Sequence, residues 1–146
     1  TEGDGGKRAG NASGTDGNAL AHKHVLVAED NALNAEVITA ILNIHDATCE
    51  VAANGEEAVA KFGMSAPGTF DMIFMDVQMP VMNGHDAARA IRAMDRHDAG
   101  TIPIIAMTAN AFAEDERQAL ACGMNAHVAK PIDVHALERV VAELSQ

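Results

Sequence analysis

Four short, largely apolar segments, each followed by a polar or charged side chain, set the strongest limit on the fold. They are His24–Ala28, Asp71–Met75, Ile102–Met107 and Asn125–Ala129. Segments of this length with turn residues on either side are typical of strands buried on both faces of a parallel sheet. The chain is therefore predicted to build its core around such a sheet.

Segments with helical spacing separate these predicted strands. After the first strand, apolar residues recur three or four positions apart, which predicts an amphipathic helix over Ala32–His45. The other predicted elements are a short strand at Thr48–Ala52, a helix capped by Asn54 that ends before Pro67, helices over Asp86–Met94 and Ala113–Ala121, and a last helix from an Asp133 cap to Leu144. Five β–α units in this order predict an α/β fold with an open, doubly wound, five-stranded parallel sheet.

The first 22 residues differ in composition from the rest of the chain. They hold half of the twelve glycines, mixed with Asn, Ser, Thr and Asp, and they bury too little apolar surface to offset the entropy of ordering. Residues 1–22 are predicted to be a flexible linker or tail, and residues 23–146 a single folded domain. We expect this domain to be a piece of a longer protein, because its start resembles a linker and it carries no output domain.

Composition excludes several classes of function. A formal net charge of −11 disfavours binding to a nucleic-acid backbone, and a chain without Trp or Tyr offers few rings on which bases could stack. No apolar run approaches the ~20 residues of a membrane helix, and the N-terminus lacks an export signal pattern. Cys49 and Cys122 are isolated and predicted to be reduced. We therefore expect a cytoplasmic domain without nucleic-acid or membrane contacts.

The polar residues that close the strands indicate the chemistry of the site. Glu29 and Asp30 follow the first strand, and Asp76, Thr108 and Lys130 follow three of the others. In an open parallel sheet, ligands bind outside the carboxyl ends of the strands, near the point where the strand order reverses. Three carboxylates, a hydroxyl and an ammonium group gathered there suit a divalent cation and a phosphoryl group. Asp76 is the predicted nucleophile, because a carboxylate can form an aspartyl phosphate.

Motifs along most of the chain resemble a known family. They are Val25–Asn31, Asp71–Pro80 with Gly84, Ile104–Asn110 and Val128–Pro131. In this order and spacing they resemble the receiver (CheY-like) domains of two-component signalling, and most of all the receivers of hybrid sensor histidine kinases. The resemblance implies a flavodoxin-like (βα)5 fold and a phosphorelay function. Such a domain catalyses its own phosphorylation and dephosphorylation without being a conventional metabolic enzyme.

The resemblance also implies roles for individual residues. Asp76 would accept a phosphoryl group from phosphohistidine, and Lys130 would contact the phosphoryl oxygens. Asp30, Asp76 and the backbone carbonyl of Gln78 would ligate Mg²⁺, with Glu29 acting through water.

A second set of residues would transmit the signal or bind the partner. Thr108 would be the switch, together with His127, which stands where the family usually has Tyr or Phe. The partner would be a histidine kinase dimerisation domain, a histidine phosphotransfer protein, or both. It would dock on a surface that includes Asn31, Asn34, Pro131 and Ile132.

Two other functions fit part of the pattern. A phosphatase of the haloacid dehalogenase type also uses an aspartyl nucleophile, but it usually carries a second Asp two positions later, where this chain has Gln78. A degenerate receiver would serve only as a protein-interaction module. It is disfavoured because every expected position of the site is filled.

Overall fold

A computed structural model describes residues 20–108, 113–130 and 134–144, without the side chains of residues 113–116 and 134. Strands and helices alternate along these residues. They are β1 His24–Ala28, α1 Ala32–Ile44, β2 Thr48–Ala52, α2 Gly55–Met64, β3 Met72–Asp76, α3 Gly84–Arg92, β4 Ile104–Thr108, α4 Ala113–Ala121, β5 Ala126–Ala129 and α5 Val134–Leu144. The predicted α/β element order is confirmed.

The five strands form one parallel sheet in the order β2-β1-β3-β4-β5. Alternate residues of each strand point to opposite faces, so the sheet has a core on each side. Phe62 of α2 and Ile91 of α3 pack on one face, together with α4. Ile38 of α1 and Val141 of α5 pack on the other. The doubly wound, flavodoxin-like sheet predicted from the sequence is therefore confirmed.

Several boundaries differ from the predicted ones. β3 includes Asp76, and β4 includes Thr108 but starts at Ile104, so both polar residues belong to the strands themselves. α3 starts at Gly84, earlier than predicted, because the Asn83 side chain caps it by accepting a hydrogen bond from the Asp86 N–H at 2.9 Å. The predicted Asp133 cap lies outside the described residues.

Leu20 belongs to the packed part of the chain. It is fully buried in the core that contains Val25 and Val27, and its carbonyl accepts a hydrogen bond from the Lys23 N–H at 3.1 Å. Leu20 therefore packs with the core of the domain although it precedes the predicted start at residue 23. The average composition of residues 1–22 does not reveal that one large apolar side chain within them, Leu20, is buried in the core.

Arg92, at the end of α3, binds the connection before β4 and the connection before β5, at the edge of the sheet where the strands begin. Its guanidinium donates to the carbonyls of Gly123 and Ala99 and to the Asn125 side chain, each at 2.9 Å. Gly123 has a φ of 98°, and a Cβ there would lie 2.8 Å from Arg92 Cγ. The turn between α4 and β5 is therefore fixed to α3, and a side chain at position 123 would disturb it.

Among the described residues, every helix is too short or too polar to cross a lipid bilayer.

Candidate functional site

The candidate site lies where β1 and β3 end side by side. The next strand lies on opposite sides of this pair: β2 is next to β1, and β4 is next to β3. Such a point leaves a cleft at the carboxyl edge of the sheet. Glu29 and Asp30 directly follow β1, and Asp76 ends β3. One carboxylate oxygen from each of the three lies within 4.8 Å of the others.

A lysine lies against two of these carboxylates. Lys130 Nζ is 2.7 Å from Asp76 Oδ2 and 3.1 Å from Glu29 Oε1. Glu29 and Asp76 are both only 2% exposed, whereas Asp30 is open to solvent. The backbone N–H of Lys130 donates to the Thr108 carbonyl at 2.7 Å and extends the pairing of β5 with β4. This hydrogen bond fixes the Lys130 backbone next to the cleft.

Backbone amides hold the buried carboxylates in fixed orientations. Asp76 Oδ1 accepts from the Gln78 N–H, and Glu29 Oε2 accepts from the Asn31 N–H, both at 3.1 Å. Glu29 Oε1 is buried and, apart from its ion pair with Lys130, has no hydrogen-bond partner. Three carboxylates against one ammonium also leave two negative charges in excess. Hard oxygen atoms and this excess charge fit a divalent cation such as Mg²⁺.

The carboxylates open into a cleft of about 760 Å³. Besides the acids and Lys130, the cleft is lined by the turn after β3, the start of α1, the end of β4, α3 and α4. Four of the lining residues were singled out from the sequence, namely Asn31, Asn34, Gln78 and Thr108. Three others were not: Asn83, His85 and Gln118. Their positions in helices and caps give no motif signal, and only the packing of α3 and α4 brings them to the cleft.

Comparison with known protein families assigns the chain to a family. Residues 25–142 match the family model described as the response regulator receiver domain. The chain belongs to the receiver family. The matched residues include all three acids, Lys130 and Thr108. A match to the receiver family over this range argues against a phosphatase of the haloacid dehalogenase type.

Individual relatives place this receiver among two-component and phosphorelay proteins. It is 35% identical to hybrid signal transduction histidine kinase I of Dictyostelium discoideum over 127 residues, which are 86% of this chain but 7% of that kinase. The chain thus spans a small part of the length of such a curated relative.

Two solved structures share its fold at a TM-score of 0.76. One is the receiver domain of sensor histidine kinase PA1611 from Pseudomonas aeruginosa PAO1, with a magnesium ion in its active site cleft; it is 35% identical, and the match covers 86% of this chain and 100% of that one. The other is the receiver domain of the Saccharomyces cerevisiae response regulator Ssk1, bound to the histidine phosphotransfer protein Ypd1. It is 33% identical, with 85% and 89% covered.

The remaining predicted residues of the receiver fall into two groups. Thr108 is buried at the end of β4 and lines the cleft, whereas His127 is half-buried on β5 and does not line it. Asn31 caps α1 by accepting from the Asn34 N–H at 3.0 Å. Pro131 and Ile132 lie outside the described residues.

Burial and neighbouring charges set the protonation of the site. Burial raises the pKa of the Glu29 carboxyl, and the Asp76 carboxylate raises it further, although the Asn31 N–H and Lys130 oppose the change. Burial alone would lower the pKa of Lys130, but contacts with Asp76 and Glu29 outweigh it and raise that pKa. Lys130 is therefore held in its charged form, and a cation close to Glu29 would favour the ionised form of that carboxyl.

Glu29→Gln is expected to stabilise the receiver in magnesium-free buffer at neutral pH. Because the pKa of Glu29 is raised on folding, its ionisation disfavours the folded state, and the free energy of unfolding falls as pH rises through that raised pKa. The neutral amide lacks this loss. Urea unfolding with a chelator, at several pH values from about 4 to 8, should show the advantage of Glu29→Gln growing with pH. An advantage that stays constant over this range would contradict the assignment.

Proposed function

We propose that the chain is a phosphoacceptor receiver that takes a phosphoryl group from phosphohistidine onto Asp76. The observation that carries this proposal is a buried Asp76 carboxylate that contacts Lys130 and lies within reach of two further acids. In the transfer, a bond forms between an Asp76 oxygen and phosphorus, while the bond between phosphorus and the histidine nitrogen breaks. The electron pair of the broken bond stays on the departing imidazole nitrogen, which takes up a proton from water. Later attack by water, or by another histidine, releases the phosphoryl group.

Magnesium is part of the proposal because the donor set fits it. Asp30, Asp76 and the Gln78 carbonyl are proposed as ligands, with Glu29 acting through water; the magnesium-bound Pseudomonas receiver supports this cofactor. The bound cation would offset the charge that builds up on the phosphoryl oxygens. Lys130 would turn from the Asp76 carboxylate to those oxygens as the phosphoryl group arrives.

Thr108 is proposed as the switch that reports phosphorylation. It is buried at the end of the strand next to β3, so its hydroxyl is close to the edge where the phosphoryl group would stand. A new group with two negative charges there favours a conformation in which a hydroxyl donates to it. His127 is half-buried on the neighbouring strand β5, and we propose a secondary role for it in the same change.

Acetyl phosphate labelling separates this function from a degenerate receiver that only binds partners. With Mg²⁺, intact-mass measurement should detect one added phosphoryl group per chain, and a chelator should prevent the addition. A degenerate module would remain unlabelled under both conditions. The ion pair between Lys130 and Asp76 favours the active form, because an interaction module has no need of two buried carboxylates around an ammonium group.

The partner is proposed to be a histidine phosphotransfer protein or a kinase dimerisation domain, within a hybrid kinase pathway. The yeast receiver bound to Ypd1 supports a partner of this kind. On α1, Leu33 is 69% and Val37 44% exposed, whereas Ile38 is buried against the sheet. Leu33 and Val37 are four positions apart, so they share a face next to Asn34, which lines the cleft. This apolar face would dock against a helix that carries the phosphohistidine.

Leu33→Glu is expected to slow transfer from the cognate phosphohistidine protein by about tenfold, because it buries a charge in the docking face, which costs ~1.4 kcal/mol or more. Labelling by acetyl phosphate should stay unchanged, since that small donor needs no docking face.

Met64→Glu is the matched control. Met64 is 86% exposed at the end of α2, outside the proposed docking face. Rapid-mixing measurements of phosphotransfer should show a slow Leu33→Glu and a normal Met64→Glu. Equal rates for the two variants would place the docking surface elsewhere.

A further inference from the structure

The turn between β3 and α3 contains a backbone conformation that its sequence disfavours. Val81 has a φ of 68°, in the left-handed region that β-branched residues rarely adopt. The Met82 N–H donates to the Pro80 carbonyl at 2.7 Å, which closes a three-residue turn around Val81. The Val81 side chain is exposed, so burial does not compensate the strain. Something outside the turn must hold it in place.

The start of α2 supplies that restraint. The Gly55 N–H donates to the Met82 carbonyl at 3.0 Å, a contact that we call the latch. A Cβ at position 55 would come under 3.0 Å from the Met82 oxygen, so only glycine allows this approach. Gly55 is free to donate outwards because the Asn54 side chain caps α2 through the Glu57 N–H at 2.8 Å.

The other end of the turn is fixed against the proposed nucleophile. The Gly84 N–H donates to the Val77 carbonyl at 3.0 Å, and a Cβ at position 84 would also come under 3.0 Å from the Asp76 carbonyl oxygen. Residues 77–83 are therefore fixed at two points. The Val77 carbonyl is bound next to Asp76, and the Met82 carbonyl is bound to α2. Gln78, whose carbonyl is the proposed metal ligand, lies in this segment.

We propose that the latch positions the metal-binding side of the site, so that Gly55 sets Mg²⁺ affinity without touching the metal. The strained turn at Val81 aims the Met82 carbonyl at α2, and the latch keeps the segment from relaxing. Gln78 then stays at one distance from Asp76 and Asp30. This inference rests on the proposed function, and it makes Gly55 a positioning residue rather than a catalytic one.

Gly55→Ala tests the proposal, with Gly100→Ala as the control. Gly100 has no atom within 4 Å of an added Cβ and lies in the connection between α3 and β4. Magnesium titrations followed by backbone amide shifts should show about tenfold weaker binding for Gly55→Ala, as supporting residues around metal ligands typically give. Gly100→Ala should bind like the wild type. Wild-type affinity in a folded Gly55→Ala would overturn the proposal.

The double variant Gly55→Ala with Val81→Gly covers the case in which the single variant does not fold. Glycine at position 81 lets the Met82 carbonyl turn away from the new methyl group. The double variant is therefore expected to unfold at the wild-type urea concentration but to keep the weaker Mg²⁺ binding, since the latch is still absent. Restored affinity would show that Gly55 matters for packing alone. If the wild type itself neither binds Mg²⁺ nor becomes labelled, the proposed function fails instead.

Discussion

Asp76→Asn is expected to abolish labelling by acetyl phosphate and by phosphohistidine alike. The amide keeps the shape of the side chain and can still accept the Gln78 N–H, but its oxygen is no longer an anionic nucleophile. Intact-mass measurement after incubation with Mg²⁺ should find no phosphoryl group on the variant under conditions that label the wild type. Folding should be retained, because one of the three clustered carboxylates has become neutral.

Asp71→Asn is the matched control for this experiment. Asp71 lies just before β3, at the opposite end of the strand from Asp76, and its carboxylate accepts a hydrogen bond from the His24 N–H at 2.8 Å. Asparagine can accept the same bond, so this variant should be labelled like the wild type. Undiminished labelling of Asp76→Asn would mean that another side chain is the phosphoacceptor.

Lys130→Met is expected to have the second largest effect, on both stability and reaction rate. Removal of the ammonium leaves Glu29 and Asp76 buried side by side without a counter-charge. The free energy of unfolding in magnesium-free buffer should fall by about 2 kcal/mol. Labelling by acetyl phosphate should slow by about a hundredfold, because a cationic contact to the phosphoryl oxygens is lost.

Magnesium distinguishes the two effects of Lys130→Met. A saturating cation should recover most of the lost stability, since it neutralises the same carboxylates, but it should leave labelling slow. Lys61→Met, on α2 away from the cleft, controls for the loss of one positive charge. Urea unfolding and labelling rates measured for both variants, with and without Mg²⁺, give the comparison. A Lys130→Met variant that reacts at the wild-type rate would remove Lys130 from the mechanism.

The sequence predicted the sheet and the gathering of its polar residues because both follow from simple rules. Apolar segments of strand length must be buried, and the carboxyl ends of parallel strands must share one edge. Asp76, Glu29 and Lys130 lie together for this reason. The spacing of apolar residues also predicted an amphipathic helix after β1, and the structure accordingly buries Ile38 of α1 and leaves Val37 exposed.

Other features depend on contacts between distant segments, which no local pattern contains. The left-handed Val81 contradicts the preference of a β-branched residue, and the Met82 carbonyl next to it accepts a hydrogen bond from Gly55 of α2, far away in the sequence. Leu20 is buried in the same core cluster as residues of α1 and α5, which lie far from it in the sequence. The sequence suggested Glu29 as a metal-side residue acting through water, but its ion pair with Lys130 became visible only in the fold.

The Arg92 contacts limit how α4 can move. They tie the turn after α4 to the end of α3, at the edge of the sheet away from the cleft. If α4 tilts while these bonds are kept, its carboxyl end would stay in place and the end nearer the cleft would be displaced farthest. The nine-residue α4 is about 13 Å long, so a tilt of about 10° would displace its end nearer the cleft by about 2 Å. The Arg92 hydrogen bonds that stabilise the edge of the sheet away from the cleft would thus also determine which end of α4 is displaced.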